Sequence, residues 1–508
     1  MRRRSKTTRK QLQFWPKPAP VQPSRESGPP IPWRGATVHL IGIGGIGMSG
    51  IAALLPHYGC TVTGCDTGGS DITESLMRRG IGVCIGHSPA HITDKLGLVI
   101  VSAAVRDTNP ELREAARRGI PVVKYAQALG WLMKDHDGIA VSGAHGKTTT
   151  TSMIAYALSY GGKHPAMVVG GVVPQLGGNS LTGRGGPFVV EACEYDRSFL
   201  NLNPKAVVVT NIDREHLDYY SGLEELVEAF GAFVAQAPAD GLCVANGDDP
   251  NVLRAARRSR ARVETFGGGR DCDWRVSEWS RAEGRTRFRA FHRGKNIGVF
   301  ELLVPGYYNV RNALACIATS SFFDVNRQDV RESLAEFRGA RRRFDRLGEA
   351  AGVMVLDDYG HHPTEVRVTL DAARQEFPMR RLLCVFQPHQ CSRTRLLMND
   401  FAGAFGSADC VIVPDIYSVR DNETDRASVH SQDLVDTLRR NGVQAEYGSK
   451  FPETVDRLLH SVRSGDLVMT MGAGPVNDVG IRLLQDRQSV RLSNRIPKRT
   501  SGGVVARR

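Results

Sequence analysis

The chain has 508 residues, an apolar fraction of 41% and a formal charge of +13. That length exceeds what one core can organise and implies two or three domains, and no apolar run of about 18 residues marks a membrane span. The charge resembles that of a nucleic-acid binder until it is located: residues 1–34 carry +8 and residues 488–508 carry +6, which leaves the long middle stretch at −1.

The first stretch (Arg2, Arg3, Arg4, Lys6, Arg9, Lys10) has no apolar segment behind it, so a disordered basic tail is expected at 1–34, not a secretory signal. A second disordered tail is expected at 488–508, and neither tail carries a nucleic-acid partner. The ten cysteines show no Cys-x-x-Cys spacing and no zinc-finger pattern with histidine, which fits reduced thiols and a cytoplasmic setting.

Between the tails the pattern repeats three times: an apolar strand, a glycine-, polar- or histidine-rich turn, then a helix. The first segment opens at Ala36–Ile41, the second at Asp137–Val141 and the third at Val353–Leu356. Such alternation predicts an α/β chain with parallel sheets. Residues 271–305 differ, with short alternations rich in Arg, Trp and Phe, and predict an antiparallel insertion.

In the first segment, Gly42-Ile-Gly44-Gly45-Ile-Gly47 follows a strand and precedes a helix beginning at Met48. Asp66 ends the next strand, 19 residues past Gly47. The glycines allow a pyrophosphate to reach a helix N-terminus, and the acid is placed for a ribose. Whether the ligand is NAD or another diphosphate is open at this point, so an NAD-dependent oxidoreductase remains an alternative.

The second segment carries Gly143-Ala144-His145-Gly146-Lys147-Thr148-Thr149 after the strand Ile139–Val141. The strict phosphate-loop pattern fails, because Val141 stands where a first glycine belongs. The physics survives: a glycine turn and the positive end of a helix cradle phosphate, Lys147 neutralises it, and the Thr148 hydroxyl is placed for Mg²⁺. Two further strands end in polar groups, one at Glu191-Ala-Cys-Glu194-Tyr-Asp196 and one at Asn211-Ile-Asp213-Arg-Glu215-His216-Leu-Asp218. In a parallel sheet both ends fall beside the phosphate loop, where carboxylate and imidazole can hold a metal ion.

The third segment repeats the device with Asp357-Asp-Tyr359-Gly-His361-His362-Pro363 and Phe386-Gln-Pro-His389-Gln390-Cys-Ser-Arg393. Histidine and arginine there suit an anionic, amine-bearing substrate. Arg341-Arg-Arg343-Phe344 marks the boundary before it.

Taken together, the Gly42–Gly50 run, the Gly143–Thr150 loop, Thr210–Asp218, Arg342–Phe344, Asp357–Glu365 and Phe386–His389 resemble the Mur ligase family, in the same order and across roughly residues 36–485. The resemblance implies a Rossmann-like UDP-sugar-binding domain over 35–132, a P-loop central ATPase domain over 133–338 and a Rossmann-like amino-acid-binding domain over 339–487. It implies a monomer or homodimer that activates the lactyl carboxylate of UDP-N-acetylmuramate with ATP and joins it to L-alanine. A related ligase that attaches a preformed tripeptide to the same sugar nucleotide is the runner-up.

By the same resemblance, Gly42, Gly44, Gly45, Gly47, Ser49 and Asp66 hold the UDP-sugar. Gly143 to Thr149 with Asn309 and Asn312 hold ATP, and Thr148, Glu191 and His216 are the metal ligands. Lys147, Glu191, His216, Arg343 and His361 are implied as catalytic, and Tyr359, His361, Gln390 and Arg393 as the amino-acid pocket. The chain departs from the family pattern at Gln390-Cys391, where an Arg-Tyr pair is usual, and at Tyr308, where His is usual. A catalytically weakened protein kept for interaction through its tails is the reading those departures would support.

Overall fold

The computed structural model describes residues 34–493 apart from 217, 218 and 420. The expected tails therefore lie largely outside the described residues. One part of that expectation is corrected: residues 488–493 continue the last helix, Asn477–Ser493.

Three sheets account for the strand-rich segments. In the first, the strand Thr37–Ile41 lies at the centre, parallel to Thr61–Asp66 on one side and Leu96–Val101 on the other. Gly82–Ile85 and Val122–Lys124 complete a five-stranded parallel sheet whose chain order reverses at the first strand. Val38, Leu40 and Ile41 are fully buried, as expected of a strand covered by helices on both faces.

The second sheet has ten strands. Gly138–Ser142 is flanked by Phe188–Glu191 and Pro204–Val209, both parallel to it. The expected antiparallel insertion is present as Trp274–Ala282, Arg285–His292 and Lys295–Leu302. It is not a separate body, because Trp274 and Arg275 pair with Phe266 and Gly267 and so extend the central sheet. The third sheet has six strands, with Asp345–Ala350 antiparallel at one edge and the rest parallel.

The sheets dock through named contacts. Helix Ile46–Leu54 of the first packs on Ala166–Val173 and the edge strand Gly178–Leu181 of the second. Arg281 of the insertion pairs with Glu376 of the third unit at 2.6 Å, both largely buried. The turns carrying the polar motifs of the second and third sheets face each other across this junction.

Candidate active site

Helix Lys147–Tyr160 begins directly after Gly146, whose φ of 82° lies in the left-handed region. A Cβ on Gly146 would stand 2.9 Å from Asn312 Oδ1, and one on Gly143 (φ 138°) would stand 2.1 Å from Thr210 Oγ1. Glycine is required at both.

The loop is held from outside. Ala144 N donates to Asn211 O at 3.2 Å, and His145 N donates to the Asn211 side chain at 2.8 Å. These two amides fix the shape of the turn, so they are not free to meet phosphate as the motif implied. The donors left open are those of the first helical turn from Lys147, which have no intrahelical acceptor. Thr148 and Thr149 lie in that turn and are nearly buried.

Lys147 folds back on its loop. Nζ donates to Gly143 O at 2.5 Å and Ala144 O at 3.2 Å, and meets Glu194 at 2.9 Å. Burial works against both charges, but their mutual attraction outweighs it. The Lys147 ammonium is held above its ordinary range, and the Glu194 carboxyl is held below its own, with help from His216 at 3.5 Å.

Glu191, the residue singled out from the sequence, accepts from Thr148 Oγ1 and from Gly170 N, each at 2.8 Å. His216 was paired with Glu191 in the sequence reading. Here it stands with Glu194 and Cys193, their ligand atoms within 4.8 Å of one another. Glu194 Oε2 is buried and has no hydrogen-bond partner. An orphaned carboxylate oxygen next to the phosphate-loop lysine is a hard donor, and it fits a magnesium ion.

The third unit contributes from across the junction. Arg343 Nη2 approaches Thr148 Oγ1 at 3.4 Å, and its guanidinium lies 5.0 Å over the Tyr359 ring. Glu365 binds His145 Nδ1 at 3.2 Å, and Asp213 holds both His145 Nε2 at 3.3 Å and Thr364 Oγ1 at 2.9 Å. His145 is thus a clamp between units, not a phosphate contact through its ring. Burial lowers its affinity for a proton, yet Glu365 and Asp213 prevail and raise its pKa to about 9.

His361 goes the other way. Burial, with Arg393 nearby, lowers it to about 4, so it is neutral at pH 7. Its Nδ1 lies 3.1 Å from Tyr359 O. A carbonyl only accepts, so Nδ1 carries the proton and Nε2 keeps a free lone pair.

Arg393 pairs with Glu215 at 2.5 Å and contacts His389 at 3.0 Å. It ties the second unit to the third and is not an unengaged cation awaiting a carboxylate. Gln390 is 4% exposed, with a φ of 68°, and donates to Val419 O at 3.3 Å. It lines a small cavity with Arg214, His216, Ser392, Arg393 and Leu397.

Asn309 and Asn312 are buried on helix Tyr307–Phe322. Asn312 donates to Asn309 at 3.1 Å and sets its own oxygen beside Gly146. Tyr308 is half-buried, and the desolvation of its phenol pushes it up, out of the physiological range.

The first unit's glycine turn is satisfied internally. Gly42 and Ile43 donate to Cys65 O, Gly45 to Gly42 O, and Gly44 to the Asp66 carboxylate at 2.8 Å. Asp66 therefore shapes the turn before it can meet a ribose. A Cβ on Gly47 would strike the Tyr125 ring at 2.8 Å. Ser49 is displaced from the expectation: it is buried, donates to Ile46 O and accepts from Asn179 of the central sheet at 3.0 Å. It joins two units and does not face an open cleft.

Sequence reasoning missed Glu194 as the partner of Lys147, and it missed Asp213, Glu215 and Glu365 as the carboxylates that join the units. Glu194, Asp213 and Glu215 lie in the two strand-end runs already noted, so position was the available signal.

Three family models match in succession: "Mur ligase family, catalytic domain" over residues 37–137, "Mur ligase middle domain" over 141–320, and "Mur ligase, glutamate ligase domain" over 342–474. The chain is 40% identical over 453 residues to the UDP-N-acetylmuramate--L-alanine ligase of Caldanaerobacter subterraneus, covering 89% of this chain and 98% of that protein. It is 42% identical over 454 residues to the ligase of the same name from Syntrophus aciditrophicus, covering 89% and 94%. Among solved structures, the UDP-N-acetylmuramate-alanine ligase of Thermotoga maritima superimposes with a TM-score of 0.76 at 30% identity, covering 89% of this chain and 99% of that one. A murein peptide ligase from Psychrobacter arcticus superimposes at 0.69 with 22% identity, a likeness of fold.

Proposed function

The chain belongs to the Mur ligase family, and from that membership and the site's chemistry we infer that it is an ATP-dependent ligase joining L-alanine to the lactyl carboxylate of UDP-N-acetylmuramate. A carboxylate is too poor an electrophile to take an amine at neutral pH. Transfer of the ATP γ-phosphoryl to it gives an acyl phosphate; the alanine amine attacks the carbonyl, the C–O bond to phosphate breaks, and phosphate leaves. The single observation that carries this reading is the meeting of Lys147, Thr148 and Glu191 with Arg343 across the junction of two units.

Each residue's part follows from its surroundings. Lys147 and the first helical turn neutralise the phosphates, and Arg343 faces the transferred group, so catalysis is mainly positioning and charge stabilisation. Thr148, Glu191 and Glu194, with His216, would hold magnesium, which offsets phosphate charge when bound. His361 is neutral with its proton on Nδ1, so its Nε2 lone pair can accept a hydrogen bond from the alanine ammonium and orient it. Gln390, Tyr359 and the cavity around Arg214 and Ser392 hold the amino acid. The glycine turn of the first unit holds the UDP diphosphate at the start of helix Ile46–Leu54.

The units divide as 35–132, 133–338 and 339–487. No helix among the described residues is long and apolar enough to cross a membrane. The ten cysteines form no disulfide, a usage that supports placing this ATP-consuming reaction in the cytoplasm. The test is phosphate release with UDP-N-acetylmuramate and a panel of amino acids and peptides. Release that requires L-alanine is expected; release that responds only to a tripeptide overturns the assignment.

A further inference from the structure

A second constellation lies in the first unit, in a different unit from the proposed catalytic residues. His39 comes from the central strand Thr37–Ile41, and Cys65 from the end of Thr61–Asp66. His91 lies in the short helix Pro89–His91, and Glu111 in the first turn of helix Pro110–Arg117. The ligand atoms of these four lie within 4.8 Å of one another. Cys65 Sγ is 2.6 Å from Glu111 Oε2, and His91 Nδ1 is 2.5 Å from Glu111 Oε1. His87 Nδ1 stands 3.2 Å from the same sulfur.

Two features distinguish this cluster from an ordinary polar core. First, His39 is 2% exposed, and its Nε2 is buried without a hydrogen-bond partner, 3.9 Å from Glu111. Its other nitrogen is fixed by Thr63 Oγ1 at 2.9 Å. That is how metal-bound histidines are oriented: one nitrogen on an outer partner, the other aimed at the ion. Second, Glu111 is fully buried, yet among the described residues no Lys or Arg pairs with it. A buried carboxylate needs a counter-charge, and here it comes either from a protonated imidazole among His39, His87 and His91 or from a bound cation.

We propose that His39, Cys65, His91 and Glu111 form a structural binding site for a divalent transition metal of the zinc class. Sulfur, nitrogen and carboxylate donors are the set zinc takes, at about 2.0–2.3 Å, which puts tetrahedral donors about 3.3–3.8 Å apart. The present separations need adjustments of about an ångström or less. A thiolate and a carboxylate cancel the ion's two charges, so the filled site is neutral with neutral imidazoles. The Cys65 thiol now donates to Glu111; on binding, its proton leaves to solvent and the sulfur lone pair goes to the metal. His87 and His91 are about one-fifth exposed and give the ion a way in.

The position has a mechanical consequence. Cys65 O accepts the amides of Gly42 and Ile43 at 2.9 and 3.0 Å. An ion on the Cys65 sulfur braces the glycine turn from beneath while tying two strands to two helices.

The experiment uses the full chain, stripped with chelator and titrated with Zn²⁺ or Co²⁺ alone, without nucleotide. One equivalent of Co²⁺ is expected to give a thiolate charge-transfer band that zinc displaces, and zinc is expected to raise the melting temperature. Cys65→Ser should abolish the band while its circular dichroism stays that of the parent, and His91→Ala should weaken binding at least about tenfold. Cys193→Ser, which removes the thiol near Glu194 and His216, should leave the band intact. No band in the parent chain, or a band that survives Cys65→Ser but not Cys193→Ser, overturns the proposal. Neither outcome depends on turnover, so the ligase assignment stands or falls separately.

Discussion

The pair Lys147–Glu194 offers the sharpest test of the site. Its members are 15% and 1% exposed in their side chains and 2.9 Å apart. At an effective dielectric of about 20, two unit charges at that distance attract by about 6 kcal/mol. Glu194→Gln keeps the volume and one acceptor for Nζ, and the carbonyls of Gly143 and Ala144 remain. With roughly half of the attraction recovered, the variant should lose about 3 kcal/mol, the lower end for removing one partner of a buried pair. In a unit of about 200 residues that is a fall of about 6–12 °C in melting temperature. The second half of the prediction separates site from scaffold. ATP brings its own negative charge to Lys147, so without added magnesium it should raise the melting temperature of Glu194→Gln by more than it raises that of the parent. A Lys147→Met and Glu194→Gln double-mutant cycle should return a coupling of about 3 kcal/mol. A variant melting within about 2 °C of the parent, or an equal response to ATP, would refute the reasoning.

Three other consequences are accessible. His145 is charged between Glu365 and Asp213, and its folded pKa of about 9 lies above the ordinary 6.5; its stabilisation is complete below the lower value and is lost as pH rises through the higher. Docking of the third unit should therefore loosen between neutral pH and about 9, seen as a growing radius of gyration, and His145→Gln should flatten that change. Gly143→Ala forces a side chain into a φ of 138° and against Thr210 Oγ1, a strain of about 1–3 kcal/mol or more; ATP turnover should collapse while UDP-sugar binding, measured by calorimetry, stays within about twofold. Gln390→Arg should lower the KM for L-alanine by roughly tenfold, the equivalent of one charge-assisted hydrogen bond to its carboxylate; an unchanged KM would mean that the carboxylate is held elsewhere.

The fold was legible because each unit opens with the same grammar. Ile139-Ala-Val141 before a glycine turn and Lys147-Thr148-Thr149 after it admit few structures other than a strand, a phosphate-binding turn and a helix. The strand ends at Glu191 and Asn211 were placed beside that turn by topology alone, since neighbours parallel to the loop strand must end on its side of the sheet. What could not be read was which carboxylate each cation would choose. Glu191 and Glu194 are three residues apart after one strand, and only the backbone just past that strand decides that the first meets Thr148 and the second Lys147 and His216. Contacts between units were equally hidden. His145, the neighbours Asp213 and Glu215, Glu365 and Arg393 come from four separate parts of the chain, and no spacing relates those parts.

The same reason hid the His39–Cys65–His91–Glu111 cluster. Metal sites are found in sequence when their ligands share a hairpin or a helix; these four enter from two strands and two helices, spaced by 26, 26 and 20 residues. What unites the hidden features is that each joins elements far apart in the chain, whereas each legible motif shapes a single turn. The amine-donor pocket proposed above belongs to the first kind. The cavity at Gln390 is walled by Arg214 and His216 from one unit and by Ser392, Arg393 and Leu397 from another, and Arg393, the cation best placed to grip a carboxylate, is already engaged by Glu215. On the proposed reading amino-acid choice depends on how closely the two units approach, and Glu215→Gln, which frees Arg393 without replacing any residue that lines the cavity, should change the KM for L-alanine more than it changes the KM for ATP. Equal effects on both constants would show that the pair only holds the units together.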